Sequence, residues 1–411
     1  TAGETILTFT ANTAETINVT SQGAANNLAL IDSTSLTTLN FSGDKALTMG
    51  GIANATKLAT IDASEMTAAL VMGTNASTTA STITGSAKDD TLTGGTLADT
   101  INGGAGIDRI NAAAGDDVID GGDGADIITS GTGDDTVTGG AGIDDIRFAT
   151  ANLTLADTVD AGEGVDLLTI SDAATLADAD FTGVTNVETL EFEAATTSVV
   201  LGAEAAEAGI VTITNKAVTT SLTLGSGFTN DVAITLLAGT ANDTIAASAY
   251  TGALSLSVDG DDLVTGDTFT AGTGTSDTLT ITSEGALLTG DVVGVTGFET
   301  IKFKTDVAGG LTLNDGNTAA GKSLTIDATT MVSSALTLDA SLELDGSVIV
   351  NGGGVADTIT GSASTLGDTL NGNAGNDAFV FASANLTLLD TIDGGAGTID
   401  VIQISDAATV V

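Results

Sequence analysis

Between residues 85 and 147 an aspartate returns at every ninth position: Asp90, Asp99, Asp108, Asp117, Asp126, Asp135 and Asp144. In register the stretch reads GSAKDDTLT, GGTLADTIN, GGAGIDRIN, AAAGDDVID, GGDGADIIT, SGTGDDTVT, GGAGIDDIR. Carboxylates in such numbers suit two kinds of chemistry. Paired, they can split a glycosidic bond as acid and base; repeated at one phase, they can ligate a hard cation. The periodic setting of Asp116-Asp117 and Asp134-Asp135 favours metal over catalysis. His and Cys are absent, so a Ser-His-Asp triad or a Cys-His pair is impossible in these residues. The Gly-rich loops lack the Lys of a phosphate-binding loop, and their Asp would repel phosphate.

The elements that must hold these carboxylates follow from the rest of the nonapeptide. Its eighth position is always a branched aliphatic: Leu92, Ile101, Ile110, Ile119, Ile128, Val137 and Ile146. That pattern predicts a three-residue strand whose middle side chain enters a core. The glycines before it, among them Gly104, Gly106, Gly122, Gly124, Gly140 and Gly142, allow positive φ and turn carbonyls inward. Two nonapeptides make a coil of 18 residues with two strands and two turns. Stacked coils place Asp90, Asp108, Asp126 and Asp144 on one edge and Asp99, Asp117 and Asp135 on the other, about 4.8 Å apart. Neighbours that close repel by about 3.5 kcal/mol at an effective dielectric of ~20, and by about 0.9 kcal/mol in bulk water. Five such pairs span roughly 4 to 17 kcal/mol, the scale of a domain's whole stability. A cation removes that repulsion, and oxygen-only ligands rich in carbonyls select Ca²⁺. Several calcium ions are therefore expected.

Weaker copies extend the ligand set. Asp166 follows the run, Asp243 lies in AGTANDTIA and Asp277 in GTGTSDTLT. A last group starts at GGGVADTIT with Asp357 and continues through Asp368 and Asp377 to Asp400, before which one residue is inserted. Asp259-Gly260-Asp261-Asp262 resembles the start of a calcium loop but lacks the later Glu of an EF-hand. Within the run, AAAGDDVID and SGTGDDTVT lack the leading Gly, while GSAKDDTLT and GGTLADTIN lack the fourth.

GGAGIDRIN and GGDGADIIT resemble the GGxGxDxUx repeats of the RTX (repeats-in-toxin) family. The resemblance implies parallel β-rolls that are disordered without calcium, fold where calcium is plentiful outside the cell, and leave it by type I secretion. The Thr/Ala-rich remainder, with segments such as GVTNVETLEF, resembles RTX-containing bacterial surface-layer proteins. That likeness implies a calcium-dependent lattice or filament on the cell surface.

Composition agrees with a folded acidic β-protein. The 411 residues carry 54 acidic and nine basic side chains, a net charge of −45, with 42% hydrophobic residues and no Pro, Trp or Cys. Nucleic acid and anionic membranes are poor partners for such a surface. No run of about 20 apolar residues exists to span a bilayer, so no membrane insertion is expected, and targeting signals are expected outside this excerpt. Two duplications, 148–160 with 381–393 and 166–192 with 277–303, indicate larger tandem units. Phe148 and Phe381, equivalent in the first, are expected to plug a roll, and Leu201 to Gly209 to form a helical turn.

The resulting expectation is an all-β chain of right-handed parallel β-solenoid or calcium β-roll segments, with Thr-rich solenoid or sandwich-like portions between them. Its regions are 1–82, a Thr/Ala-rich β region; 83–172, the calcium roll; 173–350, β-rich with the 111-residue duplication; and 351–411, a second, truncated roll. The function expected is structural and non-enzymatic: calcium-driven folding and self-assembly into a bacterial surface layer or filament, with a cell-surface polysaccharide contacted through regions outside this chain. The extender of a large adhesin is the alternative, and the non-catalytic part of a secreted enzyme a third.

Overall fold

The computed structural model describes residues 5–6, 9–10 and 13–406, apart from 173–174, 217–218, 238, 240, 283–285 and 289. The chain is nearly all β, and every described strand pairing given register is parallel. One short helix, Ala203–Glu207, lies in the expected Ala-rich stretch. Among the described residues no helix is long and apolar enough to cross a membrane. The chain divides into two compact units: residues 1–172 with 177–191 and 207–210, and residues 173–176 with 192–206 and 211–411.

In the first unit successive coils stack strand on strand. One parallel sheet of nine strands runs from Thr16–Ser21 to Val184–Thr185 and includes Thr82–Thr84, Thr100–Ala105, Val118–Asp123, Thr136–Ala141 and Thr158–Glu163. Its inward column is Ile17, Leu39, Ile61, Ile83, Ile101, Ile119, Val137, Val159 and Val184, each in register with the next. The facing column is Leu92, Ile110, Ile128, Ile146 and Leu168. All of these side chains are buried. Each such aliphatic contributes about 1.5–3 kcal/mol by leaving water, and β-branched residues suit a pleated wall.

The nonapeptides form coils of 18 residues, as Ile101 against Ile119 shows, but the coils before and after them are longer. Ile61 pairs with Ile83 and Val137 with Val159, each 22 residues on. The longer coils keep the strand register and add residues in the turns. Thr-rich text outside the nonapeptides thus follows the solenoid alternative and not the sandwich.

The second unit is built in the same way. A five-stranded parallel sheet comprises Leu311–Asn314, Thr337–Leu342, Thr358–Thr360, Ala378–Phe381 and Val401–Ile404. Ser323–Asp327, Ser347–Asn351, Thr369–Asn371 and Thr391–Asp393 supply the other wall of those coils. Phe148 and Phe381 are buried as expected, but neither closes a roll. Phe148 pairs with Ile170 and Phe381 with Ile404, so each is one step in a column that continues.

Candidate metal-binding ladders

The turn aspartates of the first unit form two ladders. Each offers one carboxylate oxygen to the backbone N–H of the equivalent residue one coil earlier. On one edge Leu70 N–H donates to Asp90 Oδ1 at 2.6 Å, Asp90 to Asp108 at 2.7 Å, Asp108 to Asp126 at 2.7 Å, Asp126 to Asp144 at 2.8 Å and Asp144 to Asp166 at 2.8 Å. Asp166 N–H then donates to Glu188 Oε2 at 2.9 Å. On the other edge the series runs Ser81, Asp99, Asp117, Asp135, Asp157, with distances of 2.6 to 2.9 Å. The seven nonapeptide aspartates are at most 1% exposed. A carboxylate here spans one strand spacing and accepts from an N–H that the turn leaves without a backbone partner, a place that Asp fills in the nonapeptides and Glu188 fills at the end of the ladder.

What the second oxygen does divides the aspartates in two. In Asp90, Asp99, Asp357 and Asp368 it accepts an N–H from the preceding turn, from Ser86, Gly95, Gly353 and Ser362 at 2.5 to 2.7 Å. Asp277 does the same with Gly272 at 3.2 Å. In Asp108, Asp117, Asp126, Asp144, Asp166 and Asp377 Oδ2 is buried with no hydrogen-bond partner. Asp135 Oδ2 is likewise without a hydrogen bond. Every aspartate of this second set follows a turn whose fourth residue is glycine: Gly106, Gly115, Gly124, Gly133, Gly142, Gly164 or Gly375. None of the first set does.

Backbone conformation explains the division. Gly104, Gly122 and Gly140 at the second turn position and Gly106, Gly124 and Gly142 at the fourth all have positive φ, from 103° to 150°. A Cβ at Gly122 would lie 2.0 Å from the Gly104 carbonyl oxygen, and one at Gly124 1.6 Å from that of Gly106. These turns rotate their N–H groups off the carboxylate and pack carbonyls coil upon coil. The first position is glycine for another reason: a Cβ at Gly103 would sit 2.5 Å from Asp108 Oδ2 and 2.4 Å from the Gly121 carbonyl oxygen. Where the leading glycine is missing, Ala112 and Ser130 are accommodated in buried positions and Oδ2 of Asp117 and Asp135 still goes without a hydrogen bond. The fourth glycine matters more than the first.

Such groups are costly as bare anions. Burial, first of all, raises Asp108 and Asp117 to about 7 and Asp144 to about 6. The hydrogen bonds from the preceding coil pull the other way, and neighbouring ladder carboxylates push upward again. Burial likewise raises Asp90, Asp99, Asp126, Asp135 and Asp166. A buried carboxylate oxygen without a donor is an expensive anion until something positive meets it. No ladder residue forms one of the described ion pairs with Lys or Arg. The donor set is oxygen only, anionic carboxylates beside backbone carbonyls, which fits Ca²⁺. When bound, the ion supplies the charge that lets like carboxylates stack.

In the second unit the weaker copies follow the same hydrogen-bond scheme. Asp243 accepts from Thr220 N–H and donates its own to Asp267 at 2.8 Å; burial raises it to about 6. Asp277 bonds Leu254 N–H at 2.8 Å and donates to Glu299 at 2.8 Å. Asp357, Asp377 and Asp400 form one series, and Asp368 accepts from Val348 at 3.0 Å. Asp400, after the inserted residue, is exposed. In the DGDD stretch the buried member is Asp262, with Oδ1 bonded to Gly239 N–H at 2.5 Å and Oδ2 unpartnered.

Sequence reading missed Asp157, Glu188, Asp267, Glu299 and Asp390, all ladder members outside recognisable nonapeptides. The signal was present as an acid-Thr-aliphatic or aromatic tripeptide: DTV at 157, ETL at 188, DTF at 267, ETI at 299 and DTI at 390. The paired acids Asp89, Asp116 and Asp134 are exposed, and Asp89 and Asp116 cap N–H groups of Ile107 and Asp134 in the next coil.

Residues 76–110, 93–128 and 111–146 match the family model of the RTX calcium-binding nonapeptide repeat (4 copies). No curated protein sequence matches the chain.

Proposed function

We propose, for a chain that carries RTX calcium-binding repeats wound into a β-solenoid, that it is a structural segment of an extracellular bacterial protein, folded by calcium and assembling with its own copies into a surface layer or filament. The calcium-binding and structural part of this reading is carried by the buried, unpartnered Oδ2 atoms of Asp108, Asp117, Asp126 and Asp144. A β-solenoid that needs cations inside its own turns is unstable where calcium is scarce and ordered where it is abundant, so binding free energy becomes folding free energy. RTX repeat proteins are typically secreted, which agrees with that dependence. Self-assembly is supported by the net charge of −45 and the internal duplications: acidic copies repel one another until divalent cations screen or bridge them.

A second reading, the extender of a long adhesin, shares the calcium mechanism and differs in the oligomeric state. Circular dichroism with light scattering, on the chelated chain titrated with Ca²⁺ against Mg²⁺, separates the two. Strand signal and large assemblies that appear with Ca²⁺ alone support the layer; strand signal without assembly moves the extender ahead. A chain fully folded in chelator and indifferent to calcium overturns both.

A further inference from the structure

A second kind of acidic cluster lies apart from the ladders, in the second unit. One carboxylate oxygen from each of Asp315, Glu343 and Asp345 lies within 4.8 Å of the other two. Asp315 follows the strand Leu311–Asn314, and Glu343 and Asp345 follow the neighbouring strand Thr337–Leu342. The two strands pair in parallel, but their register shifts so that Asn314 faces Leu342 where Thr312 faces Asp339. A bulge of this kind redirects the residues after it, and here it brings the turns N-D-G-N and E-L-D-G together.

Glu343 is the informative member. It is 0% exposed, and only one of its oxygens is satisfied: Oε1 accepts from Gly346 N–H at 2.8 Å and from Asp345 N–H at 3.3 Å, while Oε2 is buried without a partner. Glutamate is among the residues least often buried whole unless something pairs with it. Gly346 leaves no room for a side chain beside it, since a Cβ there would stand 2.5 Å from Thr318 Cγ2 and 3.1 Å from Glu343 Oε1. Asp315 is held by Leu344 N–H, which donates to its Oδ1 at 3.0 Å. Among the described ion pairs none involves these three carboxylates, and Lys322, the nearest basic residue in sequence, is exposed.

We propose that Asp315, Glu343 and Asp345 form a calcium site distinct from the RTX ladders, which ties together the turns of two consecutive coils. The chemistry selects the ion: three carboxylates, with no nitrogen or sulfur, suit a hard divalent cation, and oxygens drawn from two turns suit the flexible shell of Ca²⁺ better than the octahedron of Mg²⁺. Neither turn falls in the nonapeptide run or its weaker copies, so periodicity alone does not reveal the site.

The test is equilibrium dialysis of the full chain against radioactive Ca²⁺, side by side for the wild type, Glu343→Gln and the double variant Asp315→Asn/Asp345→Asn. The exposed double variant keeps the acceptor oxygens and serves if Glu343→Gln fails to fold, which circular dichroism reports. Loss of one bound Ca²⁺ per chain, with strand signal retained in calcium, is the expected result. Unchanged stoichiometry and affinity in the folded double variant overturn the proposal. Asp126→Asn, which acts on a ladder, is the companion variant: its loss of calcium reads the ladder reading alone, so the two can fail separately. Terbium-soaked crystals give an independent check, with an anomalous peak expected among the three carboxylates and its absence counting against the site.

Discussion

The buried ladder carboxylates make the calcium-free roll sensitive to pH in a direction opposite to most proteins. Asp108 and Asp117 rise from 3.8 to about 7, chiefly through burial. A folded-state value above the unfolded one means that the folded chain holds the extra protons. The stability they contribute is complete below about pH 4 and is lost as pH rises through about 7. Each carboxyl moved this far is worth on the order of 4 kcal/mol, with a limiting slope of about −1.4 kcal/mol per pH unit between the two values. Two such groups amount to a large part of a typical domain's stability. Asp108→Asn and Asp117→Asn isolate the effect, because an Asn Oδ1 can still accept the N–H of Asp90 or Asp99 while the charge is gone. Circular dichroism of the calcium-free chain from pH ~5 to ~8, with urea denaturation wherever strand signal is present, is the assay, and absence of strand signal counts as an unfolding free energy below zero. Wild-type unfolding free energy is expected to fall across that range. The double variant should fall less steeply and exceed the wild type by several kcal/mol near neutrality, yet gain less from added calcium. A wild-type profile that is flat or rises with pH, or a double variant no more stable than wild type near neutrality, refutes the reasoning.

Other expectations follow from particular turns and columns. Gly124→Ala places a Cβ 1.6 Å from the Gly106 carbonyl oxygen at a φ of +150°, and should destabilise the calcium-loaded chain by more than about 2 kcal/mol in chemical denaturation. Ala113 has a φ of +79° at a position that is glycine in neighbouring turns, so Ala113→Gly should stabilise by roughly 0.5–1 kcal/mol in the same assay. Leu97 is the exposed fourth residue of a turn whose Asp99 is satisfied by Gly95 N–H; Leu97→Gly should free Asp99 Oδ2 and raise the calcium bound per chain in equilibrium dialysis. Ile128→Ala, in the column between Ile110 and Ile146 and 0% exposed, should lose about 2–5 kcal/mol of unfolding free energy with calcium present.

The repeat was legible because period and chemistry reinforce one another. A fixed phase of Asp, glycine and aliphatic residues dictates a turn, a strand and an inward side chain in every copy, so Asp108, Asp126 and Ile119 could be placed by counting. The parallel solenoid and the calcium chemistry followed from that count and from the lack of His and Cys. Counting failed where coils lengthen. Asp157 stands 22 residues after Asp135 and yet takes the next place in its ladder, because strand register is set by hydrogen bonding across space and tolerates added turn residues. The fourth glycine was visible in the sequence, but only the tertiary structure showed that it decides which carboxylates keep a free oxygen. Asp90 and Asp108 hold the same place in the nonapeptide, but the turn with Lys88 at its fourth position donates Ser86 N–H to the first, and the positive-φ glycines Gly104 and Gly106 withhold that donor from the second. The cluster of Asp315, Glu343 and Asp345 is the extreme case, since a shift of strand register joins residues that no period connects.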